Sequence, residues 1–161
     1  MITFAPIETV IGPVLIAGRD GEITHLRLPG DDGPPRADAD WLEAPAIWKD
    51  AEDRVHAILA GSDRDVPPLA PEGSQFQLRI WKALRAIPRG ETRSYAQIAR
   101  AVGRPGGTQA VGQANGRNPI PLLIPCHRVI AADGSLGGFS GSLTIKRRLL
   151  EMEGAWQPRL I

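Results

Sequence analysis

The chain holds a single cysteine and three histidines in 161 residues. One cysteine excludes an internal disulfide and a cysteine-rich metal site, and His25 and His56 show no ligand spacing with it, so neither a metal nor a cofactor is expected. No apolar run approaches the roughly 20 residues that cross a bilayer. Met1-Ile2-Thr3-Phe4-Ala5-Pro6 lacks the basic segment and apolar stretch of a signal peptide, so a cytoplasmic protein without membrane contact is expected. The length allows one good core, or two small lobes sharing an interface. Large net charge is missing too, at +1, but the balance is uneven along the chain. Residues 1–75 carry 6 Lys and Arg against 14 Asp and Glu, and residues 76–161 carry 13 against 4, which leaves −8 and +9. A basic half wants an anionic partner, and Lys and Arg contacts to phosphate supply most non-specific nucleic-acid affinity. Two lobes neutralising each other would produce the same pattern.

Residues 1–9, 13–17 and 23–28 are short β-prone segments, the last two separated by the hairpin signal Asp20-Gly21, and they predict a small antiparallel sheet. Residues 29–40, rich in Gly, Pro and Asp, read as a mobile loop. Residues 45–59 place Ile47, Trp48, Ala51, Val55, Ile58 and Leu59 at helical spacing, enough to cover one sheet face, and Gly61 ends that helix. Residues 63–73, with three prolines and the change of charge sign, read as a linker. The expected division is an acidic α/β lobe at 1–70 and a basic domain at 74–161.

In the second half, Ser74 caps a predicted helix over 75–86 with an apolar stripe of Phe76, Ile80, Trp81 and Leu84, and Pro88-Arg89-Gly90 stops it. Ser94 caps a helix over 95–102, residues 103–107 form a glycine-rich turn, and Thr108 caps a second helix to about Asn115, a helix-turn-helix pattern. That second helix is built of small residues, Ala110, Val111, Gly112 and Ala114, which allow either close approach to a groove wall or tight helix packing. Residues 122–124 predict a short buried strand leading into Cys126. Gly137-Gly138-Phe139-Ser140-Gly141 has little bulk and can lie against a flat ligand, with Phe139 free to stack. A final helix over 142–153 carries Lys146, Arg147 and Arg148 on or near one surface.

Ile124-Pro125-Cys126-His127-Arg128-Val129-Ile130 reads as a nucleophile site. A thiol attacks as thiolate, and with an ordinary pKa of about 8.5 little is ionised at neutral pH unless a base or cation is near. His127 is the nearest base. Residues i and i+1 of a strand point to opposite faces, so their cooperation needs a turn, which Pro125 favours. A buried thiol beside a satisfied histidine is the bland alternative.

Asn118-Pro119, the Pro-Cys-His-Arg-Val run, Gly137-Gly138-Phe139-Ser140-Gly141, Lys146 and Leu149-Leu150-Glu151-Met152-Glu153-Gly154 together resemble the O6-alkylguanine-DNA alkyltransferases. The likeness runs in order from Phe76 to Gly154 and includes Gly90-Glu91-Thr92-Arg93-Ser94-Tyr95. It covers the acidic lobe weakly, where the family has a variable, ribonuclease H-like α/β domain that in bacterial members usually lacks zinc. The fold class is thus α/β (α+β): that lobe, then a mostly helical, winged helix-turn-helix-like lobe. The resemblance implies DNA repair by irreversible, stoichiometric transfer of an alkyl group from guanine O6, and from thymine O4, to Cys126. It implies His127 acting through water as base, Glu153 holding the imidazole, Tyr95 donating to the guanine and Asn118 tying the recognition helix to the cysteine loop. Val129, Gly138, Phe139 and Ser140 would hold the flipped base. Ser94, Arg104, Thr108, Gln109, Ala110, Arg117 and Arg128 would meet double-stranded DNA in the minor groove, with the protein a monomer or cooperative along DNA.

Two positions depart from the family pattern. Gln109 stands where most members carry an arginine that fills the space of the flipped base, so weaker duplex binding or slower flipping is expected, with Arg104 or Arg117 as substitutes. Phe139 stands where tyrosine is common, which costs one hydroxyl. Four rival functions remain compatible with parts of the pattern: a lesion-binding alkyltransferase-like protein, a Cys-His-Glu thiol hydrolase, a transcription regulator, and a protein for small alkylated molecules or single strands. Cys126 speaks against the first, and a recognition helix poor in reading side chains against the third.

Overall fold

The computed structural model describes residues 1–62, 66–137 and 142–156. The chain divides into two compact units, Met1–Glu72 with Pro119–Leu123, and Gly73–Asn118 with Ile124–Ile161.

In the first unit, β1 (Thr3–Thr9), β2 (Gly12–Arg19) and β3 (Glu22–Arg27) form an antiparallel meander, and the short β4 (Leu42–Glu43) joins β1 in parallel, giving the order β3-β2-β1-β4. The β2–β3 turn uses Asp20 and Gly21, both at positive φ, as an Asp-Gly hairpin requires. Next to it the ladder shifts register at Ala17 and Gly18, and a Cβ on Gly18 would lie 1.9 Å from the Glu22 carbonyl oxygen, so only glycine fits. β1 alternates, burying Ala5 and Ile7, whereas β2 buries Val14 to Ala17 without interruption, the mark of a strand covered on both faces. Each large aliphatic side chain so buried contributes roughly 1.5–3 kcal/mol. Trp41, with Ala37 beside it, packs on Leu15 and Ala17. The glycine- and proline-rich loop, expected to be mobile, therefore supplies part of this core and is pinned by Arg27, which donates to the Arg36 carbonyl and to Asp38. Helix α1 (Lys49–Leu59) buries Ala51, Val55, Ile58 and Leu59. It begins four residues later than its apolar pattern predicts, because Pro45 to Trp48 form turns, in which the Ile47 amide donates to the Ala44 carbonyl and the Trp48 amide to the Pro45 carbonyl.

The segment expected to be a plain linker has a structural task. Pro68 accepts from the Ile23 amide and the Ala70 amide donates to the Ile23 carbonyl, so this stretch covers the open edge of β3. Prolines suit an edge, since the missing N–H there has no ladder partner to lose.

In the second unit, α2 (Gln75–Arg85) and α3 (Tyr95–Ala101) each start with a reciprocal capping box, Ser74 with Gln77 and Ser94 with Gln97. Helix α4 (Thr108–Gly116) completes the helix-turn-helix, with Gly107 as its cap and Thr108 already inside the helix, one residue from expectation. The Trp81 indole donates to the Ala114 carbonyl at 2.9 Å, and Arg79 donates to the Val102 carbonyl, fixing α2 against α4 and the end of α3. β5 (Arg93–Ser94) pairs in parallel with β6 (Val129–Ile130), and α5 (Leu143–Met152), capped by Ser142, closes the described chain. Leu122 and Leu123 form a turn in place of the predicted strand, with Leu122 in the left-handed region at φ 74 and Ile124 an isolated bridge residue. Among the described residues no helix is long and apolar enough to cross a membrane.

Candidate active site

Pro125 breaks the extended chain and Cys126–Arg128 turn through a single 3-10 helix, all three residues buried. This is the turn that lets neighbouring side chains serve one site. Two asparagines near the end of α4 grip it: Asn118 Nδ2 donates to the Ile124 carbonyl at 2.7 Å and Asn115 Nδ2 to the Cys126 carbonyl at 3.3 Å. Asn118 thus joins the cysteine loop to α4.

Glu153, just beyond α5, receives three side chains. His127 Nε2 lies 2.9 Å from Oε2, while Arg128 donates from Nε to Oε1 at 2.9 Å and from Nη2 to Oε2 at 3.0 Å, a bidentate fork. The remaining Arg128 nitrogen, Nη1, donates to the Ile87 carbonyl at 2.7 Å. Arg89 donates to the Met152 carbonyl and stands 4.0 Å from Oε2. Burial by itself raises a carboxyl pKa, but the hydrogen bonds from His127 and Arg128 outweigh it and hold Glu153 down at about 2. Burial lowers the His127 pKa, and the pull of Glu153 does not reverse that. The resting pair is a neutral imidazole against an ionised carboxylate whose charge Arg128 balances. A carboxylate only accepts, so the imidazole proton sits on Nε2 and Nδ1 is left as the basic nitrogen. His127 Nδ1 is buried and has no hydrogen-bond partner among the described residues.

Lys146 is fully buried rather than on the basic surface where the sequence placed it, and its ammonium donates to the Val129 carbonyl at 2.7 Å. Burial lowers its pKa to about 8, and a negative charge on the Cys126 sulfur would raise it, so Lys146 and a Cys126 thiolate would favour each other. The inward position was legible: 146, 149, 150 and 153 share one face of a helix, and Leu149 and Leu150 belong to the core. Tyr95 is half-buried at the start of α3, between Gly112 and Gly137. A Cβ on Gly137, which has φ 68, would meet the phenol oxygen at 2.7 Å. Val129 is buried, and its carbonyl retains a second lone pair beside the one Lys146 uses.

On the outer face of α4, Thr108, Gln109, Gln113 and Arg117 are exposed and Ala110 is half-buried. A groove of about 330 Å³ runs along this face, lined by Ser74, Phe76, Gln77, Arg104, Ala110 and Arg117 among others. Among the described residues no carboxylate lines it, and the Arg104 guanidinium stacks 4.6 Å over Phe76. The Ser94 hydroxyl is committed to its capping box. Arg128, expected at the DNA surface, is instead buried in its fork with Glu153, because the cysteine turn points its side chain inward. Gly138, Phe139 and Ser140 lie outside the described residues. Sequence reasoning missed Arg89, whose turn is marked only by Pro88 and Gly90, and Asn115, which reads as an ordinary helix end.

A buried Cys-His-Glu set behind a helix-turn-helix defines a thiol-nucleophile protein built on a DNA-binding scaffold. The family described as 6-O-methylguanine DNA methyltransferase, DNA binding domain, matches residues 75–155. Methylated-DNA--protein-cysteine methyltransferase of Mycobacterium tuberculosis (strain ATCC 25618 / H37Rv) is 44% identical over 160 residues, 98% of this chain and 96% of that one. The Methanosarcina barkeri protein of the same name is 44% identical over 148 residues, 91% and 94% of the two chains. A crystal structure of Mycobacterium tuberculosis OGT in complex with DNA superposes with a TM-score of 0.86 at 42% identity, covering 95% of this chain and 93% of the other. The chain belongs to the O6-methylguanine-DNA methyltransferase family.

Proposed function

We propose that this protein repairs DNA by moving a methyl or larger alkyl group from O6 of guanine, or O4 of thymine, onto Cys126, once per molecule. The observation that carries the reading is the geometry behind the cysteine: His127, next in the chain, turns Nε2 to Glu153 at 2.9 Å, Arg128 forks onto the same carboxylate, and the buried His127 Nδ1 has no partner among the described residues. Nδ1 takes the thiol proton through a water. The resulting imidazolium is held by Glu153, and Lys146 favours the thiolate that remains. The sulfur attacks the alkyl carbon in line. As the S–C bond forms, the C–O6 bond breaks and its electron pair passes to the purine oxygen, where the Tyr95 phenol steadies the charge until the base regains a proton. No tetrahedral carbonyl adduct arises, so no oxyanion hole is required.

The carbon lies within the base stack, so the nucleotide leaves the duplex, at a cost of a few kcal/mol that a poorly paired lesion reduces. Helix α4 enters the minor groove. Its small Ala110 and Gly112 allow close contact, Gln109 meets the vacated position, and Arg104 and Arg117 lie along the phosphates beside it. The protein acts as a monomer, in the cytoplasm. Intact-mass spectrometry after mixing with a duplex carrying O6-methylguanine tests the whole reading: one methyl is gained on Cys126 and none in Cys126→Ser. Repeated turnover, or an unchanged mass, overturns it.

A further inference from the structure

Two buried side-chain acceptors beside Cys126 have no hydrogen-bond partner among the described residues, His127 Nδ1 and Asn115 Oδ1. The first belongs to the proton relay. The second belongs to a side chain outside the Cys126-His127-Glu153 set. Asn115 is 1% exposed, sits in the last turn of α4, and its orientation is fixed, since the Cys126 carbonyl only accepts and Nδ2 must therefore face it. Its Oδ1 is then held within one carboxamide of the nucleophile's own backbone. Leaving a buried acceptor without a donor costs about 1–3 kcal/mol, and native interiors avoid it with protein groups or with ordered water.

We infer that Asn115 is a positioning residue for the relay: its Oδ1 and His127 Nδ1 together hold one water against the Cys126 thiol. A water molecule matches the requirement atom for atom. Its two hydrogens serve two acceptors, and its oxygen accepts the S–H. In the step itself the thiol proton passes to the water as one of the water's protons passes to Nδ1, which leaves thiolate, neutral water and imidazolium. Asn115 Oδ1 keeps hold of the other hydrogen throughout, so the water need not reorient. This places one member of the relay on the same helix that presents Gln109 outward, so α4 both meets the DNA and orients the proton path. The inference rests on Cys126 being the nucleophile.

The test compares Asn115→Leu, which fills the space with an apolar group, and Asn115→Ala, which leaves room for a second water to replace the lost oxygen. Three measurements are made on the full-length protein: single-turnover methyl transfer from a duplex carrying O6-methylguanine, affinity for undamaged duplex, and the pH profile of Cys126 alkylation by iodoacetamide. The charged groups facing the thiol, Lys146 on α5, Glu153 after it and Arg128 in the turn, are the same in all three proteins. Asn115→Leu transfers methyl at least about tenfold more slowly, part of the roughly 10²–10⁴-fold that a positioned base contributes. Its iodoacetamide profile moves to higher pH, its DNA affinity stays within twofold, and Asn115→Ala recovers a clear part of the rate. A merely structural asparagine gives the opposite order, with alanine at least as damaging as leucine, or an unmoved pH profile, and either result overturns the inference. If Asn115→Leu fails to fold, Asn115→Ala decides alone: a rate and profile equal to the wild type refute the role, and slowing with an upward shift supports it. A wild type that takes no methyl from DNA sinks the proposed function instead, and the iodoacetamide arm reads the relay separately from it.

Discussion

Arg27 and Arg128 each hold a carboxylate at the same 2.9 Å, and the similarity ends there. Arg27 and Asp38 in the first unit are 33% and 53% exposed, so water shares their charges and the pair is worth at most about 1 kcal/mol. Arg128 and Glu153 in the second unit are 9% and 4% exposed. Neither buried partner tolerates loss of the other, yet a well-packed apolar pair in their place would hold the fold as well. The expense of a buried pair makes sense where its charge is used, and Glu153 also holds the base next to the nucleophile. The exposed pair pins a loop; the buried one sets a protonation state.

Glu153→Gln tests this contrast with the largest effect. The variant keeps the shape and removes the charge, leaving Arg128 buried without its counter-ion, and about 3–5 kcal/mol of stability is expected to go, read by urea unfolding. Below its unfolding range, the variant transfers methyl at least roughly 10²-fold more slowly, because the imidazolium loses its partner. Normal transfer by a stable Glu153→Gln protein would place the proton path elsewhere.

The pH dependence sharpens the same contrast. Glu153 binds its proton far less readily in the folded chain, at about 2, than at the ordinary carboxyl value of 4.5. The unfolded state therefore takes up the proton first, so this contribution to stability is whole above pH 4.5 and is lost as the pH falls toward 2. His127 is depressed as well, so its contribution is whole above pH 6.5 and declines below it. Stability measured against pH loses its lower limb in Glu153→Gln. The transfer rate of the wild type falls only below pH 6.5, since the base stays neutral down to its depressed pKa; a rate already falling at neutral pH would contradict a neutral resting His127.

Gln109→Arg concerns the outer face of α4, where the effect is smaller. A guanidinium fills the space of the extruded base and brings charge into a narrow groove, so transfer from duplex rises several-fold while transfer from a single strand stays unchanged. Equal rates on duplex for the two proteins would show that Arg104 and Arg117 already supply what Gln109 lacks.

What the sequence revealed divides along physical lines. The N-caps Ser74 and Ser94, the Asp20-Gly21 hairpin and the apolar stripes are local signals, and the elements they mark stand within a few residues of expectation. Cys126, His127 and Glu153 were found through the joint pattern, whereas their arrangement depends on a 3-10 turn that only Pro125 hints at. The errors concern charged residues whose role is set by distant partners. Arg128 and Lys146 read as surface cations, since basic side chains are seldom buried, and each turned inward to a carboxylate or a carbonyl contributed from elsewhere in the chain. The loop over 29–40 is a loop as read, and its contacts were illegible for the same reason, as nothing in its composition announces that Arg27 and Trp41 will touch it.

Arg27→Ala carries the smallest effect and bears on the exposed side of the contrast. The side chain donates to the Arg36 carbonyl, pairs with Asp38 and lies 4.3 Å over the Trp41 ring. Each of these contacts is partly in water, where an ion pair or a cation over an aromatic ring is worth about 0.5–1 kcal/mol, and removing one side chain that makes all three is not additive. A loss near 1 kcal/mol is expected in urea unfolding, with faster proteolytic cleavage within residues 29–40 and an unaltered methyl-transfer rate. Because the loop also contributes Ala37 to the core around Leu15 and leads into Trp41, a loss above about 3 kcal/mol would mean that releasing the loop exposes that core, and the surface pair would then have to be counted as structural in the same sense as the buried one.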